Sequence, residues 1–456
     1  MATDLEQAVQ ALKAKNRPLT KLWQYYDGDQ PLRYSTQRLQ SVFNMIDVRF
    51  CMNWCEVVVN AVLDKLVLKR FVVSGNKGLT QKLNDLWLAT EMKLSDDDVH
   101  LAMLVTGEAF VIVWDDLVVG LEAYYNDPLL CHLFYEPDHP IVKRLGTKWW
   151  AGDDGYMYLN LYYADKIEYY KTRSQTERVE EAKAFVLQDT AKHNFGEVPI
   201  YHFRRERRAI KSELSSSVLS LQDAVNKLLA DMMVSAEFAA FRQRYIISNM
   251  DVKGQLKNAP NEIWNIPGGD GYGQGTSVGE FSATDLANFM APIEKLATAV
   301  ALITRTPRHY FFEKAGSNPS GEALMALEAA LNAKAERYVE RLQADWGRVA
   351  QALLRLEGAE VDRRKISTVF KDPRTLQPMT QAQARQTNVN AGVPLATVLR
   401  REGWSEEDIA QMAADKQEEQ AAAQSSLASA LLEQQRRFDQ EQGQGGAEGQ
   451  RSKGDD

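Results

Sequence analysis

The residues best suited to metal or acid–base chemistry lie in one short polar segment. His132, Glu136, Asp138 and His139 form the densest such group in a chain with only six histidines. Their spacing is not that of a helix-borne HExxH zinc site, and Pro137 interrupts them, which is typical of a polar loop. We interpret the segment as a loop. The alternative is a metal-dependent hydrolase that uses His132, Asp138 and His139.

A glycine-rich segment at residues 268–276 has the composition of a phosphate-cradling loop. Such loops need glycines that let backbone N–H groups approach the anion, followed by GK[ST] and a helix N-terminus. Neither follows here, so the segment predicts a flexible hairpin. The chain also lacks a GxSxG elbow, a kinase loop and a CxxC pair. We therefore expect no catalytic residue, no metal, no cofactor and no enzymatic activity.

The composition is that of an ordinary globular protein with an acidic balance. Its 456 residues predict about three domains, and 54 basic against 62 acidic side chains give a net charge of −8. This excludes a protein that coats nucleic acid over its whole surface, so any contact with DNA must be local. Three cysteines cannot form a disulfide framework, and neither a signal peptide nor a membrane-spanning run is recognisable. We expect a reducing compartment and no membrane association.

The pattern of apolar residues divides the first half of the chain into a helical beginning and a strand-rich middle. The spacing predicts helices up to about residue 108, with breaks at Pro18 and at residues 27–31. Aromatic and β-branched residues then predict strands at 110–114, 159–163, 166–170, 184–187 and 199–203. We assign the aromatic crowding at residues 156–170 to sheet packing, with a base-stacking platform as the alternative.

Three long helices are predicted in the second half of the chain. The first spans residues 212–245, and its apolar residues repeat as in a seam that faces other helices: Leu214, Val218, Leu221, Val225, Leu228 and Met232. The second spans residues 284–303 and contains Pro292, which predicts a kink or a later start. The third begins at the capping residue Ser320 and ends at Gly358. Its charged face, which includes Lys334, Arg337 and Arg341, predicts a solvated surface.

The end of the chain predicts a small helical unit and a tail. Residues 360–415 read as helices, whereas residues 416–456 are dominated by Gln, Glu, Ala, Ser and Gly. This composition cannot bury enough apolar surface to offset chain entropy, so the tail is predicted to be disordered. The fold class that follows is α+β, mainly α.

The order of these elements resembles that of the portal proteins of tailed double-stranded DNA bacteriophages, the head-to-tail connectors. Several segments carry the resemblance in collinear order: residues 25–32 (YYDGDQPL), 53–71, 106–111 (TGEAFV), 196–200 (GEVPI), 220–226, 316–322 (GSNPSGE) and 391–394 (AGVP). Residues 53–71 look like a helix of the family. The resemblance implies a ring, usually dodecameric, around a DNA channel that serves genome packaging and ejection.

The resemblance also implies a division of the chain and a set of partners. It assigns 1–211 to a wing, 212–245 and 284–303 to stem helices, 246–283 to a clip, 304–319 to a tunnel loop, 320–359 to a long wing helix, 360–415 to a crown and 416–456 to the tail. The implied partners are double-stranded DNA, the terminase large subunit, a head-completion or adaptor protein, and the major capsid and scaffold proteins. The implied location is the portal vertex of the virion, after assembly in the host cytoplasm.

The resemblance also implies a role for the charged residues of the tunnel loop. Arg305, Arg308, His309 and Lys314 place positive charge beside three aromatic residues. A ring repeats each cation around the channel, and a cationic ring can hold phosphates without reading sequence. Pairing of these charges with carboxylates of neighbouring subunits is an equally weighted alternative. A helical structural adaptor without a channel is a further alternative for the whole protein.

Overall fold

A computed structural model of the chain describes the residues in these ranges: 3–31, 51–116, 120–176, 179, 181–240, 244–247, 277–280, 285–312, 320–374, 378–402, 404, 408–422 and 432. The chain forms two compact units, Met1–Thr375 and Leu376–Asp456. The first contains both α-helices and β-sheets, so its fold is α+β.

The first unit begins with helices whose ends are set by local chemistry. Helix α1, Asp4–Asp27, starts with a capping box between Thr3 and Glu6 and ends at Gly28, whose φ of 78° is left-handed. Pro18 lies inside α1, so the predicted break at this proline is wrong. Leu12 and Leu19 are buried on either side of it, and this packing holds the helix together despite the missing N–H donor.

The next apolar segment divides into a helix and a strand. Helix α2, Trp54–Leu63, stops well short of residue 71, and strand β1, Leu68–Val73, follows it. β1 pairs antiparallel with β12, Ile366–Phe370. The prediction of one helix through residue 71 is therefore wrong, and so is that of purely helical structure after residue 360. Both errors have one cause, because a strand pair between distant segments leaves no local pattern.

Two more helices and two sheets follow in the first unit. Helices α3, Lys77–Ala89, and α4, Met92–Thr106, precede the sheets. The three-stranded sheet has the order β3-β2-β9 and the five-stranded sheet the order β4-β5-β6-β7-β8. The strands are β2 Glu108–Asp116, β3 Gly120–Asn126, β4 Cys131–Tyr135, β5 Lys143–Ala151, β6 Met157–Tyr162, β7 Lys166–Thr172, β8 Phe185–Lys192 and β9 Ile200–Arg204. All five predicted strands are confirmed, at β2, β6, β7, β8 and β9.

The three long helices are present with altered ends. Helix α5, Ser216–Ala240, is shorter than predicted, and Tyr245 lies in strand β10, Arg244–Ile247, which pairs with β11, Ser277–Glu280. Helix α6, Ala287–Thr304, contains Pro292 in its interior. Helix α7, Gly321–Leu356, starts at the N-cap Ser320 as predicted. The glycine-rich segment 268–276 lies outside the described residues.

The core of the first unit lies where α7 crosses the helices and the three-stranded sheet. Trp346 is fully buried, with its ring centroid 4.9 Å from that of Trp87 and 4.5 Å from that of Phe203. Its indole N–H donates to His100 Nε2 at 2.8 Å. Helix α7 is therefore a central element of this unit, and its buried face fixes the positions of the residues around it.

The second unit is helical where it is described. Helices α8, Pro378–Asn390, and α9, Leu395–Arg401, are joined by a turn at Gly392, and Arg385 pairs with Glu402 at 2.6 Å. Residues 408–422 are also helical. The prediction of disorder from residue 416 is therefore wrong for residues 416–422. The tail from residue 423 onward, apart from residue 432, lies outside the described residues.

Candidate functional site

The segment between α6 and α7 begins with a sharp change of direction. Helix α6 ends at Thr304 because Arg305 adopts a left-handed backbone with φ 58°. Such a conformation costs a non-glycine residue about 1 kcal/mol or more and is kept only where the surroundings impose it. The Thr304 hydroxyl donates to Val300 O at 2.8 Å and contacts the Thr306 hydroxyl at 3.0 Å. These bonds hold the start of the segment in place.

The predicted cationic residues of this segment differ in their surroundings. Arg305 is exposed, and Arg308 lies 3.6 Å from Glu294 of the same chain, with both side chains roughly half exposed. An exposed pair at that distance contributes little to stability, so the guanidinium of Arg308 remains available to another anion. His309 Nδ1 is buried without a hydrogen-bond partner among the described residues. Lys314 lies outside the described residues.

The aromatic residues of the segment serve as anchors. Phe311 is buried and packs edge-on against Trp54, with a centroid distance of 5.9 Å. The Tyr310 hydroxyl donates to Glu328 at 3.2 Å, and Glu328 pairs with Lys65 at 3.1 Å. Contacts with α2 and α7 thus hold the segment up to Phe312 in place. They fix the backbone from which Arg305 and Arg308 extend.

Lys334 of α7 belongs to the site, although its sequence context predicts a solvated surface. The side chain is 9% exposed and its ammonium group donates to Glu213 and, at 2.7 Å, to Thr304 O. Burial lowers the pKa of Lys334, and the adjacent Glu213 carboxylate opposes that shift. The prediction is wrong for this residue because α7 turns this position toward the end of α6.

Glu213 is the centre of the buried charge network around Lys334. Its second carboxylate oxygen accepts from Arg205 at 3.0 Å and from the Tyr338 hydroxyl at 2.8 Å. Arg205 also donates to Tyr338 at 2.8 Å, and Arg341 donates to Arg205 O. The network joins the loop before α5, the end of α6 and the middle of α7. No sequence motif marks these residues, since their partners lie far apart in the chain.

The seam residues of α5 are buried to different degrees. Leu214, Val218 and Val225 are fully buried, whereas Leu221, Leu228 and Met232 are half-buried. Leu221 and Leu228 pack against the main core. The fully buried residues lie toward the beginning of the helix, so the apolar seam is covered there and partly open toward its end.

A polar stripe on α5 was missed by sequence reasoning. Gln222 accepts from Trp54 N at 2.9 Å and donates to Met52 O at 2.6 Å, and Asn226 accepts from Met52 N at 3.2 Å. Asp223 accepts from the Tyr25 hydroxyl at 2.8 Å. Gln222 and Asn226 thus satisfy backbone groups at the start of α2, whereas Asp223 ties α5 to α1. Their position within the segment 220–226 that resembles portal proteins is the one signal that could have found them.

The histidine cluster does not form a metal centre in the described part of the chain. His132 lies on β4, where burial lowers its pKa to about 3, and its ring packs edge-on against Phe134. Asp138 and His139 are exposed in the turn after this strand. Among the described residues, no three His, Cys, Asp or Glu side chains come together in a metal-binding arrangement. The geometry therefore gives no support to the hydrolase alternative.

Comparison with known proteins decides the family. The family described as "Phage portal protein, SPP1 Gp6-like" matches residues 9–425. The chain belongs to this family of phage portal proteins. Two curated relatives, each named "Portal protein", are 28% identical over 206 residues (Mycobacterium phage D29) and 27% identical over 209 residues (Mycobacterium phage L5). Each match covers 42% of this chain and 42% of the relative, so it spans about two fifths of the relative's length.

Two solved structures are also similar to this portal protein. A chain in "Virion of native gene transfer agent (GTA) particle" is 13% identical, with a TM-score of 0.41, and the match covers 83% of this chain and 94% of that chain. A chain in "Neck of empty GTA particle computed with C6 symmetry" is 13% identical, with a TM-score of 0.45 and coverages of 87% and 98%. Both TM-scores lie below 0.5.

No helix in the described part of the chain is a candidate membrane span. None of these helices combines the length and the apolar character that a bilayer span requires.

Proposed function

We propose that identical copies of the chain close into a ring, dodecameric in the usual portal arrangement, around a channel for double-stranded DNA. The ring would occupy the portal vertex of the virion, after assembly in the host cytoplasm, and serve packaging and ejection of the genome. Membership of the portal family supports this proposal. The chain itself acts as a structural protein, and ATP hydrolysis belongs to a separate terminase motor.

The observation that carries the ring proposal is the apolar surface left open on α6. Leu302 is 76% exposed and Ile303 51% exposed, and both precede the cationic residue Arg305. Met290 near the start of the helix is 40% exposed. Adjacent large aliphatic side chains exposed at the end of a helix, as at Leu302 and Ile303, mark a surface that another protein covers. In a ring, the adjacent copy covers it.

The elements around α6 fit the proposed stem. Helices α5 and α6 contain 25 and 18 residues, so they extend about 38 and 27 Å. Strands β10 and β11 pair in the connection between the two helices. We therefore keep the proposed order of stem (212–245 and 284–303), clip (246–283) and tunnel loop (304–319), with the stem helices bounded at Ser216–Ala240 and Ala287–Thr304 and with strand β10 counted to the clip. The clip would dock the terminase large subunit and the head-completion or adaptor protein, and the ring would also contact the major capsid and scaffold proteins.

The tunnel-loop cations are proposed to contact the DNA backbone. Arg305 is exposed and Arg308 keeps a half-exposed guanidinium, so each can reach a phosphate if the channel lies beside them. Repeated around a ring, these cations bind phosphates independently of sequence. Because the chain as a whole is acidic, such binding is limited to this ring of cations. The surrounding negative charge repels DNA and so favours its sliding through the channel.

The ring is tested by mass photometry and negative-stain electron microscopy of the purified full-length chain. Twelve copies of 51.5 kDa give an expected particle of about 600 kDa, with a central hole in axial views. A stable monomer contradicts the proposal. A closed assembly without a hole supports the structural adaptor instead.

The loop is tested by neutralising its charges. The triple variant Arg305→Gln, Arg308→Gln and Lys314→Gln is expected to form normal rings and to impair DNA packaging or retention. A control variant removes three exposed cations elsewhere, by Lys183→Gln, Arg364→Gln and Lys365→Gln. Normal packaging by the loop variant, or an equal defect in the control, removes the loop from the mechanism.

A further inference from the structure

The two edges of the three-stranded sheet carry opposite charges. In the order β3-β2-β9, strand β9 forms one edge and β3 the other. A cavity of about 610 Å³ lies at the β9 edge, between that strand, α7 and the turn before β5. We call it the basic cleft, because six cations and two carboxylates line it: Lys143, Arg204, Arg207, Arg341, Arg348 and Arg363, with Glu197 and Asp345.

The β3 edge has the opposite character. Asp127 follows β3 and lines a cavity of about 430 Å³ together with Asp27 and Asp98, and none of its described lining residues is basic. Asp97 is exposed next to Asp98 on α4. We call Asp27, Asp97, Asp98 and Asp127 the acidic face.

Both surfaces keep an excess of one charge in the described part of the chain. In the basic cleft, Glu197 pairs with Lys143 at 3.1 Å and Asp345 pairs with Arg348 at 2.9 Å, and the two pairs leave four of the six cations in excess. Burial and the neighbouring Asp98 raise the pKa of Asp97, and burial and Asp29 raise the pKa of Asp27. Lys15, a cation that favours the ionised form of Asp127, is already paired with Glu108 at 2.6 Å. Burial lowers the pKa of Lys143 to about 8; the Glu197 carboxylate opposes that shift, and Arg348 and Arg355 add to it. Each surface therefore gains from a partner of opposite charge.

Exposed aliphatic residues beside both surfaces indicate that this partner is a protein. Ile141 is 84% exposed and Val142 52% exposed, and both line the basic cleft. Leu94, one helical turn before Asp98, is 80% exposed, and Leu130 after β3 is 38% exposed. Phosphate recognition has no use for exposed aliphatic side chains, whereas protein interfaces combine apolar patches with complementary charges.

We propose that the basic cleft of one copy receives the acidic face of the next copy in the ring. This inference rests on the proposed ring and names the surfaces that build it. A head-to-tail ring requires two different, complementary surfaces on each subunit. Opposite edges of one sheet meet this requirement, because a contact at one edge leaves the other edge free for the next subunit.

Charge reversal of one residue on each surface tests the pairing. Arg207 and Asp98 are both exposed, so Arg207→Glu and Asp98→Lys leave the fold of the subunit intact, as circular dichroism will check. Each single variant is expected to lower ring formation at 50 mM salt roughly fivefold, since attraction is replaced by repulsion. The control reversals Lys183→Glu and Glu181→Lys, at an exposed pair elsewhere, are expected to leave ring formation unchanged.

A mixture of the two single variants gives the sharpest result. When they alternate around a ring, the carboxylate introduced by Arg207→Glu faces the ammonium group introduced by Asp98→Lys, and the intervening contacts are native. We expect an equimolar mixture to recover rings that neither variant forms well alone, with mass photometry as the measurement. A purely structural effect of either substitution predicts no such recovery.

The other outcomes overturn the inference in distinguishable ways. A wild-type chain that stays monomeric overturns both the ring and this interface. Wild-type rings together with unaffected variants, or variants that do not recover when mixed, overturn only the interface. An Arg207→Glu variant that forms normal rings but loses DNA assigns the basic cleft to nucleic acid instead.

Discussion

Replacing Glu213 is expected to destabilise the chain more than replacing its partner Lys334. The Glu213 carboxylate accepts from Lys334, from Arg205 at 3.0 Å and from Tyr338 at 2.8 Å. Glu213→Ala leaves two buried cations and a hydroxyl without this acceptor. Lys334→Met keeps an apolar stem of similar length and leaves a carboxylate that still has two donors. The two substitutions therefore break the same ion pair but leave different groups in the interior: Glu213→Ala leaves unpaired cations, whereas Lys334→Met leaves a carboxylate that keeps two donors.

The structure sets the size of this difference. Removing one partner of a buried pair costs about 3–5 kcal/mol, and Glu213→Ala belongs near the upper end. Lys334→Met loses mainly the bonds of its ammonium group, at about 2 kcal/mol. An unfolding entropy of about 2.1 cal/mol/K per residue gives the 375-residue unit a shift in Tm of about 1.3 °C per kcal/mol. We expect Tm to fall by about 6 °C for Glu213→Ala and about 3 °C for Lys334→Met.

Scanning fluorimetry of both variants at 50 and 500 mM salt is the measurement. Because the network is buried, the shifts should change little with salt. Glu181→Ala removes a carboxylate from the exposed pair with Lys183 and should move Tm by less than about 1 °C. Equal shifts for the two network variants, or a larger shift for Lys334→Met, would refute the role of Glu213 as the shared acceptor.

Two further predictions concern the first unit. Gly107 has φ 96°, and an added Cβ would lie 2.6 Å from the Lys211 carbonyl carbon, so Gly107→Ala should lower Tm by about 4 °C or more. The matched change Gly196→Ala meets open space at φ 70° and should cost about 1 °C, so equal effects would contradict the clash. Burial lowers the pKa of His100 to about 3, so the imidazole stays neutral in the folded chain while it takes up a proton in the unfolded chain below pH 6.5. The free energy of unfolding therefore falls by about 1.4 kcal/mol per pH unit below pH 6.5. Relative to His100→Gln, the wild type should lose about 3 °C more in Tm between pH 6.5 and 4.5, whereas parallel curves would contradict this assignment.

The features that sequence reasoning predicted well are those with local signals. The strands from β6 to β9 follow from aromatic and β-branched runs separated by turns, and helix α7 follows from an apolar stripe that starts at Ser320 and ends near Gly358. Each signal lies within the element that it predicts. The resemblance to portal proteins, confirmed by the family match, also rests on segments read in order along the chain.

The features that were missed depend on partners far away in the chain. Strand β1 needs β12, and without that partner its residues continue the apolar pattern of α2. Pro18 is a helix breaker by local rules, but packing on both sides outweighs its cost. Lys334 sits in a charged stretch of α7 that looks solvated until Glu213 and Thr304 are placed beside it. In each case tertiary contact overrode a correct local rule.

The buried network also explains where the segment proposed as the tunnel loop begins. A left-handed Arg305 is unfavourable by itself, and the carbonyl of Thr304 just before it is held by Lys334. Lys334 in turn pairs with Glu213, whose carboxylate opposes the lowering of the Lys334 pKa by burial. The direction in which the first cation of the loop leaves α6 is thus set by residues of α7 and of the loop before α5. The proposed contact of this loop with DNA therefore depends on the buried charges of Lys334 and Glu213.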